Sequence, residues 1–214
     1  MIKRHEKIIS ETYSNFLANQ LTEIEWRCLF NTAYPAGYAE KTDWPKVITG
    51  PRPNPTDDEK TNHSFFHLLI DNHKDVTSKH SGLWKPLMLE CMFRCGLPLT
   101  DYYIYRARLG LILKASKKTI HQPHVDWNLD ESKNSYNIVY YVNQSDGDTY
   151  VFGNTKSSVW KKEETIRNEY KKNSLVCFDG DIWHCSSTPE HYDTRIVLNL
   201  NIFRGSFYSH NRES

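Results

Sequence analysis

His121-Gln122-Pro123-His124-Val125-Asp126-Trp127 is the stretch on which the reading of this chain turns, and Trp183-His184 answers it further along. On an extended segment side chains alternate with period two, so His124 and Asp126 face one side and can reach one ion. His184 lies far downstream, after a segment that reads as a strand and a turn, so a neighbouring strand can bring it back. Two imidazoles and one carboxylate, with positions left open, are the donor set of a mononuclear non-haem iron(II) site. His124, Asp126 and His184 are therefore the candidate metal ligands. His121 competes for the first place, but the residue two beyond it is Pro123, which has no donor side chain.

A lone His-x-Asp in a chain with 10 His is weak, and the case grows from the residues beyond His184. Residues 195–203 read as a strand. Alternation puts Arg195, Val197, Asn199 and Asn201 on one face and Ile196, Leu198, Leu200 and Ile202 on the other. A polar inner face is odd for a plain sandwich and makes sense if it lines a pocket. A pocket arginine has a planar fork suited to a carboxylate.

The rest of the chain divides at about residue 100. Residues 6–33 read as one or two helices, from the spacing of Ile8, Ile9, Tyr13, Phe16 and Leu17 and the continuing apolar character to Leu29. Residues 34–58, broken by seven Pro and Gly from Pro35 to Pro55, read as a loop, with a short strand at 46–49; a substrate lid and a plain surface wrap both fit it. Helical periodicity returns over 64–72 and is clearer from Leu83 to Phe93, with Gly96-Leu97-Pro98 as a stop. Strands come next at 102–113, 137–143, 149–152 and 174–178. Asp146-Gly147 reads as a hairpin turn joining the second and third of these, and Asp179-Gly180-Asp181 as a further turn. The charged segment 161–172 reads as a solvated loop or short helix. Residues 1–99 are thus expected to be a helical and loop region packed on a β core over 100–214, in one structural domain overall. The expected class is mainly β with N-terminal helices (α+β).

Composition narrows the function classes. With 38% hydrophobic and 25% charged residues, a packed core is within reach. The 27 basic and 26 acidic residues nearly cancel, so nothing demands a nucleic acid or an anionic membrane, although a local basic groove for nucleic acid is not excluded. The charged start Lys3-Arg4-His5-Glu6-Lys7 lacks the apolar core of a signal peptide, and no apolar run approaches the roughly 18 residues of a membrane span. Five Cys without such a signal favour reduced thiols and a cytoplasmic setting. Cys91 and Cys95 are expected on one helix face in a structural role.

The order His124-x-Asp126, His184, Arg195 resembles the iron(II)- and 2-oxoglutarate-dependent oxygenases, and particularly their prolyl 4-hydroxylase-like branch. The likeness covers roughly residues 100–205. It includes Tyr140-Tyr141-Val142-Asn143, similar to that branch's Tyr-Leu-Asn strand, and Asp146-Gly147-Asp148-Thr149, where the branch usually has a Gly-Gly turn. Leu175-Val176-Cys177-Phe178-Asp179 before the distal His and Ser14-Asn15-Phe16-Leu17 near the start look like it too. The resemblance implies a double-stranded β-helix, or jelly roll, with Fe(II) held by His124, Asp126 and His184. It implies 2-oxoglutarate as co-substrate, its distal carboxylate paired with Arg195 and helped by Tyr141 and Asn199, and ascorbate as a stimulant. The reaction would be oxidative decarboxylation of 2-oxoglutarate to succinate coupled to hydroxylation of a C–H bond, of a peptidyl proline or of another protein or small-molecule substrate. Related halogenases lack the carboxylate that Asp126 retains, which favours hydroxylation. The family's usual Tyr upstream of the first ligand is absent; Lys114 stands there, and Arg106 and Arg108 on the preceding strand are both candidates to replace it, with the choice between them open. Trp127 and Trp183 flank ligands and read as packing or as a substrate platform.

Two other classes compete. A non-catalytic jelly-roll module would be expected to have lost a ligand, and a cupin-type metalloenzyme without 2-oxoglutarate has no need of Arg195.

Overall fold

The computed structural model describes residues 2–29, 64–71, 75–76, 78–121, 124–126, 134–152 and 165–205. The expected lid over 34–58, its strand at 46–49, and Trp127 lie outside the described residues.

Two antiparallel sheets form the body. The larger has the order β1(Ile2–Glu6), β9(Ser174–Asp179), β6(Ser135–Tyr141), β11(Thr194–Arg204), β5(Tyr102–Leu113), β3(Ser64–Asp71), β2(Arg27–Leu29), with β4(Asp75–Val76) paired to β3. The smaller has the order β10(His184–Ser186), β7(Thr149–Phe152), β8(Thr165–Asn168). With the helices near its N-terminus, this is a mainly β, double-stranded β-helix architecture, as the sequence leads one to expect.

The long central strands form for the reason their sequence suggests. On β11, Ile196, Leu198, Leu200 and Ile202 are buried against helices α1(Glu11–Asn19) and α2(Ser81–Cys95), among Leu17, Trp84, Leu87, Met88, Cys91 and Met92. The opposite face of the large sheet meets the small sheet through Val139, Tyr141, Val151, Tyr170, Val176, Phe178 and Val197. Helix α1 starts at Ser10, whose hydroxyl accepts from the Tyr13 N–H. Helix α2 ends where Gly96 takes the left-handed conformation (φ 72°) and the Gly96 and Leu97 N–H groups donate to the carbonyls of Phe93 and Met92. Cys91 and Cys95 belong to this helix and are buried among hydrophobic neighbours.

Four expectations are corrected. Residues 6–33 are not helical throughout: the helix and its 3₁₀ extension cover Glu11–Asn19 and Gln20–Glu23, flanked by β1 and β2. Both flanking strands are short and lean on a partner, β9 or β3, rather than on their own pattern. Residues 64–71 form a strand, not a helix. Its register against β5 slips between Leu68 and Ile70, which turns Leu69 into the core and breaks the period-two signal. Asp146-Gly147 does not close a hairpin, because β6 and β7 belong to different sheets. The segment read as a solvated loop or helix contains β8, whose partner is β7. The turn after β9 is present, with the Ile182 N–H donating to the Asp179 carbonyl at 3.1 Å.

Candidate metal centre

His124 and His184 face each other across an isolated antiparallel bridge, each donating its N–H to the other's carbonyl at 2.9 Å. Further up, Ile120 pairs with Ser187, and the His121 N–H donates to the Ser186 carbonyl at 2.8 Å. The stretch that carries the first two candidate ligands thus runs alongside β10, which carries the third. The imidazole centroids lie 4.5 Å apart. Nε2 of His124 is 3.8 Å from Asp126 Oδ1, and Nε2 of His184 is 3.8 Å from Asp126 Oδ2. One donor atom from each of the three residues falls within 4.8 Å of the others. That is the spacing of a two-histidine, one-carboxylate facial set, and it fits a borderline divalent ion.

Neighbouring groups prepare these donors. Nδ1 of His184 lies 3.2 Å from the Ile182 carbonyl, which can only accept; the proton therefore sits on Nδ1 and leaves the Nε2 lone pair on the side of Asp126. Oδ2 of Asp126 accepts from Asn201 Nδ2 at 2.9 Å. Asn201 in turn donates to Asn137 Oδ1 at 2.8 Å and accepts from Arg106 Nε at 2.8 Å. Burial works against a charge on Asp126, but His184, His124, Arg106 and Arg108 outweigh it and hold the carboxyl well below the usual carboxylate range. The carboxylate is therefore ready to bind a cation.

The pocket beside the three donors is lined by Arg108, Gly110, Val139, Thr149, Arg195, Val197 and Asn199, among others. Arg195 is 4% exposed, so its direction is fixed by protein contacts. Its Nε donates to the Gly147 carbonyl at 2.8 Å and one Nη to Thr149 Oγ1 at 2.9 Å. The Tyr170 ring lies beneath its guanidinium at 5.9 Å, and the single proton of the Tyr170 hydroxyl lies between two acceptors, Asn143 Oδ1 and the Ile196 carbonyl. The Tyr141 ring packs on that of Tyr170, tilted by 34° with centroids 4.4 Å apart. The Tyr141 hydroxyl is buried beside Thr149 and Arg195, with no well-formed hydrogen bond among the described residues. Asn199 lines the pocket next to Gly110.

Alternation along β11 marks Asn201 as inward-facing without giving it a task, and the sequence assigns nothing to Tyr170 or Asp148. Asp148 stands where the second turn glycine is expected. It is 2% exposed, accepts from Lys118 Nζ at 2.9 Å, Arg167 Nε at 2.8 Å and the Tyr170 N–H at 3.0 Å, and so ties the turn to β8 and to the residue under Arg195. His121 is not part of the donor set; its Nδ1 meets Ser186 Oγ at 2.9 Å. Burial, then the charge of Arg195 and the neighbouring His124, push its pKa down to about 3. Lys114 is exposed and off the pocket, whereas Arg108 lines it. Trp183 packs with Phe152, Cys185, Val125 and Tyr150.

Solved structures match along nearly the whole chain. A prolyl-4-hydroxylase from Pseudomonas putida is 15% identical, over 95% of this chain and 91% of that one, with a TM-score of 0.50. HygX from Streptomyces hygroscopicus, solved with nickel and 2-oxoglutarate bound, is 8% identical over 94% and 82%, with a TM-score of 0.57. The fold is that of the iron(II)- and 2-oxoglutarate-dependent oxygenases. EctD from S. alaskensis, solved with 2-oxoglutarate and 5-hydroxyectoine, is 16% identical over 94% and 71%, with a TM-score of 0.55. At such identities the likeness is one of fold, and it does not favour the prolyl hydroxylase over the others. No protein-family model matches the sequence, and no curated protein does. Among the described residues no helix is long and apolar enough to cross a membrane.

Proposed function

We propose that the chain is an oxygenase that uses Fe(II) and 2-oxoglutarate to hydroxylate a C–H bond of a protein or small-molecule substrate. The observation that carries this is the convergence of His124, Asp126 and His184 on one point, beside a pocket with a fixed arginine. Two neutral nitrogens and a carboxylate suit Fe(II), and three protein donors leave positions open for small molecules. The iron would supply the oxidative decarboxylation of 2-oxoglutarate to succinate and the oxidation of the substrate.

The protein's share is placement. Asn201 holds Asp126 by Oδ2, the oxygen that faces His184, and the Ile182 carbonyl holds the His184 ring, so both donors are oriented by the protein. Arg195 would pair with the distal carboxylate of 2-oxoglutarate through the donors that Gly147 and Thr149 leave unused. The buried Tyr141 hydroxyl, which has no well-formed partner among the described residues, suits the same carboxylate, and Asn199 would line the path between it and the metal. Ascorbate is expected to stimulate turnover. A peptidyl proline remains one substrate that the sequence resemblance offers; the matched folds are spread over several branches and do not favour it.

The test is spectroscopic. Anaerobic protein given Fe(II) and 2-oxoglutarate should develop the weak visible charge-transfer band of the chelate, and His184→Ala should abolish it. Wild-type protein without the band would overturn the co-substrate assignment. Slow succinate release without substrate, stopped by a chelator, is the accompanying activity; release that persists after iron removal would reject the mechanism.

A further inference from the structure

The inward face of β5 carries Arg106, Arg108, Gly110 and Ile112, opposite Asn201, Asn199, Val197 and Arg195 of β11. Arg195 is level with Ile112, so the backbone positions of Arg195 and Arg108 are about 14 Å apart along the strands at roughly 3.4 Å per residue. Gly110 between them adds no side chain to the pocket wall, whose apolar part includes Phe66, Ile112, Val139 and Val197.

The arginines on this face are not equally occupied. Arg195 is bonded to Gly147 and Thr149, and Arg106 donates to Asn201. Arg108 lines the pocket, yet its buried Nε has no acceptor among the described residues. Buried donors of charged groups are nearly always matched, because leaving one unmatched costs the desolvation of that group. Among the described residues that line the pocket, Asp126 alone is acidic. Its Oδ2 is held by Asn201, its Oδ1 faces His124 and Arg106, and it is the carboxylate that a divalent cation would take. Arg108 feels the Asp126 charge, but no carboxylate in the described lining bonds its Nε.

We propose that Arg108 is a specificity-determining residue that receives an anionic oxygen group, a carboxylate or phosphate, carried by the substrate. This rests on the reaction proposed above and narrows its substrate to an acidic molecule, bound on the β3–β5 side of the metal centre and distinct from the acid that Arg195 would hold. A guanidinium with an unmatched donor in a wall of positive charge favours such a group over a neutral peptide.

The test is calorimetric. Wild-type, Arg108→Gln and Arg108→Lys proteins are titrated with Co(II) and 2-oxoglutarate, and then with propionate, inorganic phosphate and neutral propionamide. Wild type should bind at least one anion about tenfold or more tighter than propionamide. Arg108→Gln should erase that preference and Arg108→Lys keep part of it, with Co(II) and 2-oxoglutarate affinities changed by no more than about twofold. Preference for propionate alone assigns a carboxylate, and for phosphate alone a phosphate. The proposal is overturned if wild type shows no anion preference, or if Arg108→Gln keeps it. It is equally overturned if 2-oxoglutarate affinity falls with the substitution, which would place Arg108 in the co-substrate clamp. Failure of wild type to take up Co(II) and 2-oxoglutarate would instead defeat the reaction itself, and the same anion titrations on metal-free protein would still decide the fate of Arg108.

Discussion

Asp126 accepts from Asn201 through the oxygen that also faces His184, so one short amide sets the plane of the carboxylate. Asn201→Ala should therefore lower metal affinity by about 10- to 100-fold while the fold survives, read by competition with a chromophoric chelator. An unchanged affinity would show that packing alone orients Asp126. His121 makes a second prediction. Its folded pKa is about 3 against an ordinary value of 6.5, so between these the unfolded chain binds more protons. Stability is then fully present above pH 6.5 and falls as pH drops towards 3, by about 1.4 kcal/mol per pH unit from this group. Urea unfolding of metal-free protein at about pH 7 and about pH 4.5 should show the loss, and His121→Gln should flatten it. Equal slopes in both proteins would mean that other groups set the acid limit.

At the level of elements, the loop from β6 to β7 carries the pocket's precision. A Cβ at Gly147 would lie 2.7 Å from Arg195 Cδ and 2.8 Å from the Ser187 carbonyl oxygen. The backbone oxygen cannot move cheaply, so the loop at Gly147 must shift, and the Arg195 side chain with it. Gly147→Ala should weaken 2-oxoglutarate binding by about tenfold or more, with a smaller effect on metal affinity, as titration would show; an equal loss of both would mean a general collapse of the loop. The same loop shows where sequence reading stops. Asp-Gly promises a hairpin, but the chain uses it to pass from one sheet to the other, and Asp148 is buried among Lys118, Arg167 and Tyr170 to secure the crossing. None of those partners is near in sequence, so no local signal could name them.

For the molecule as a whole, the helices and the sheets depend on each other. Trp84 is fully buried between α2 and the outer face of the large sheet, in the cluster that holds Leu198 and Leu200 of β11. Trp84→Ala should cost about 3–5 kcal/mol of unfolding free energy by denaturant titration. Because the opposite face of β11 lines the pocket, metal affinity should fall with it. A large loss of stability with untouched metal affinity would show that the pocket is insulated from the helical layer.

Local physics was enough for the long central strands and for helix α2 with its glycine stop, and alternation set His124 and Asp126 on one side of an extended chain; His184 joined them only through the order of motifs beyond it. Alternation also puts Arg195, Asn199 and Asn201 on the pocket side of β11 from sequence alone. It could not give β1, β2 and β8, which are short and take their order from partners far away in the chain. Nor could it find β3, whose bulge hides its period. Which arginine is anchored, which carboxylate is oriented and which donor is left without a partner depend on contacts between segments far apart in the chain, and only the tertiary structure decides them.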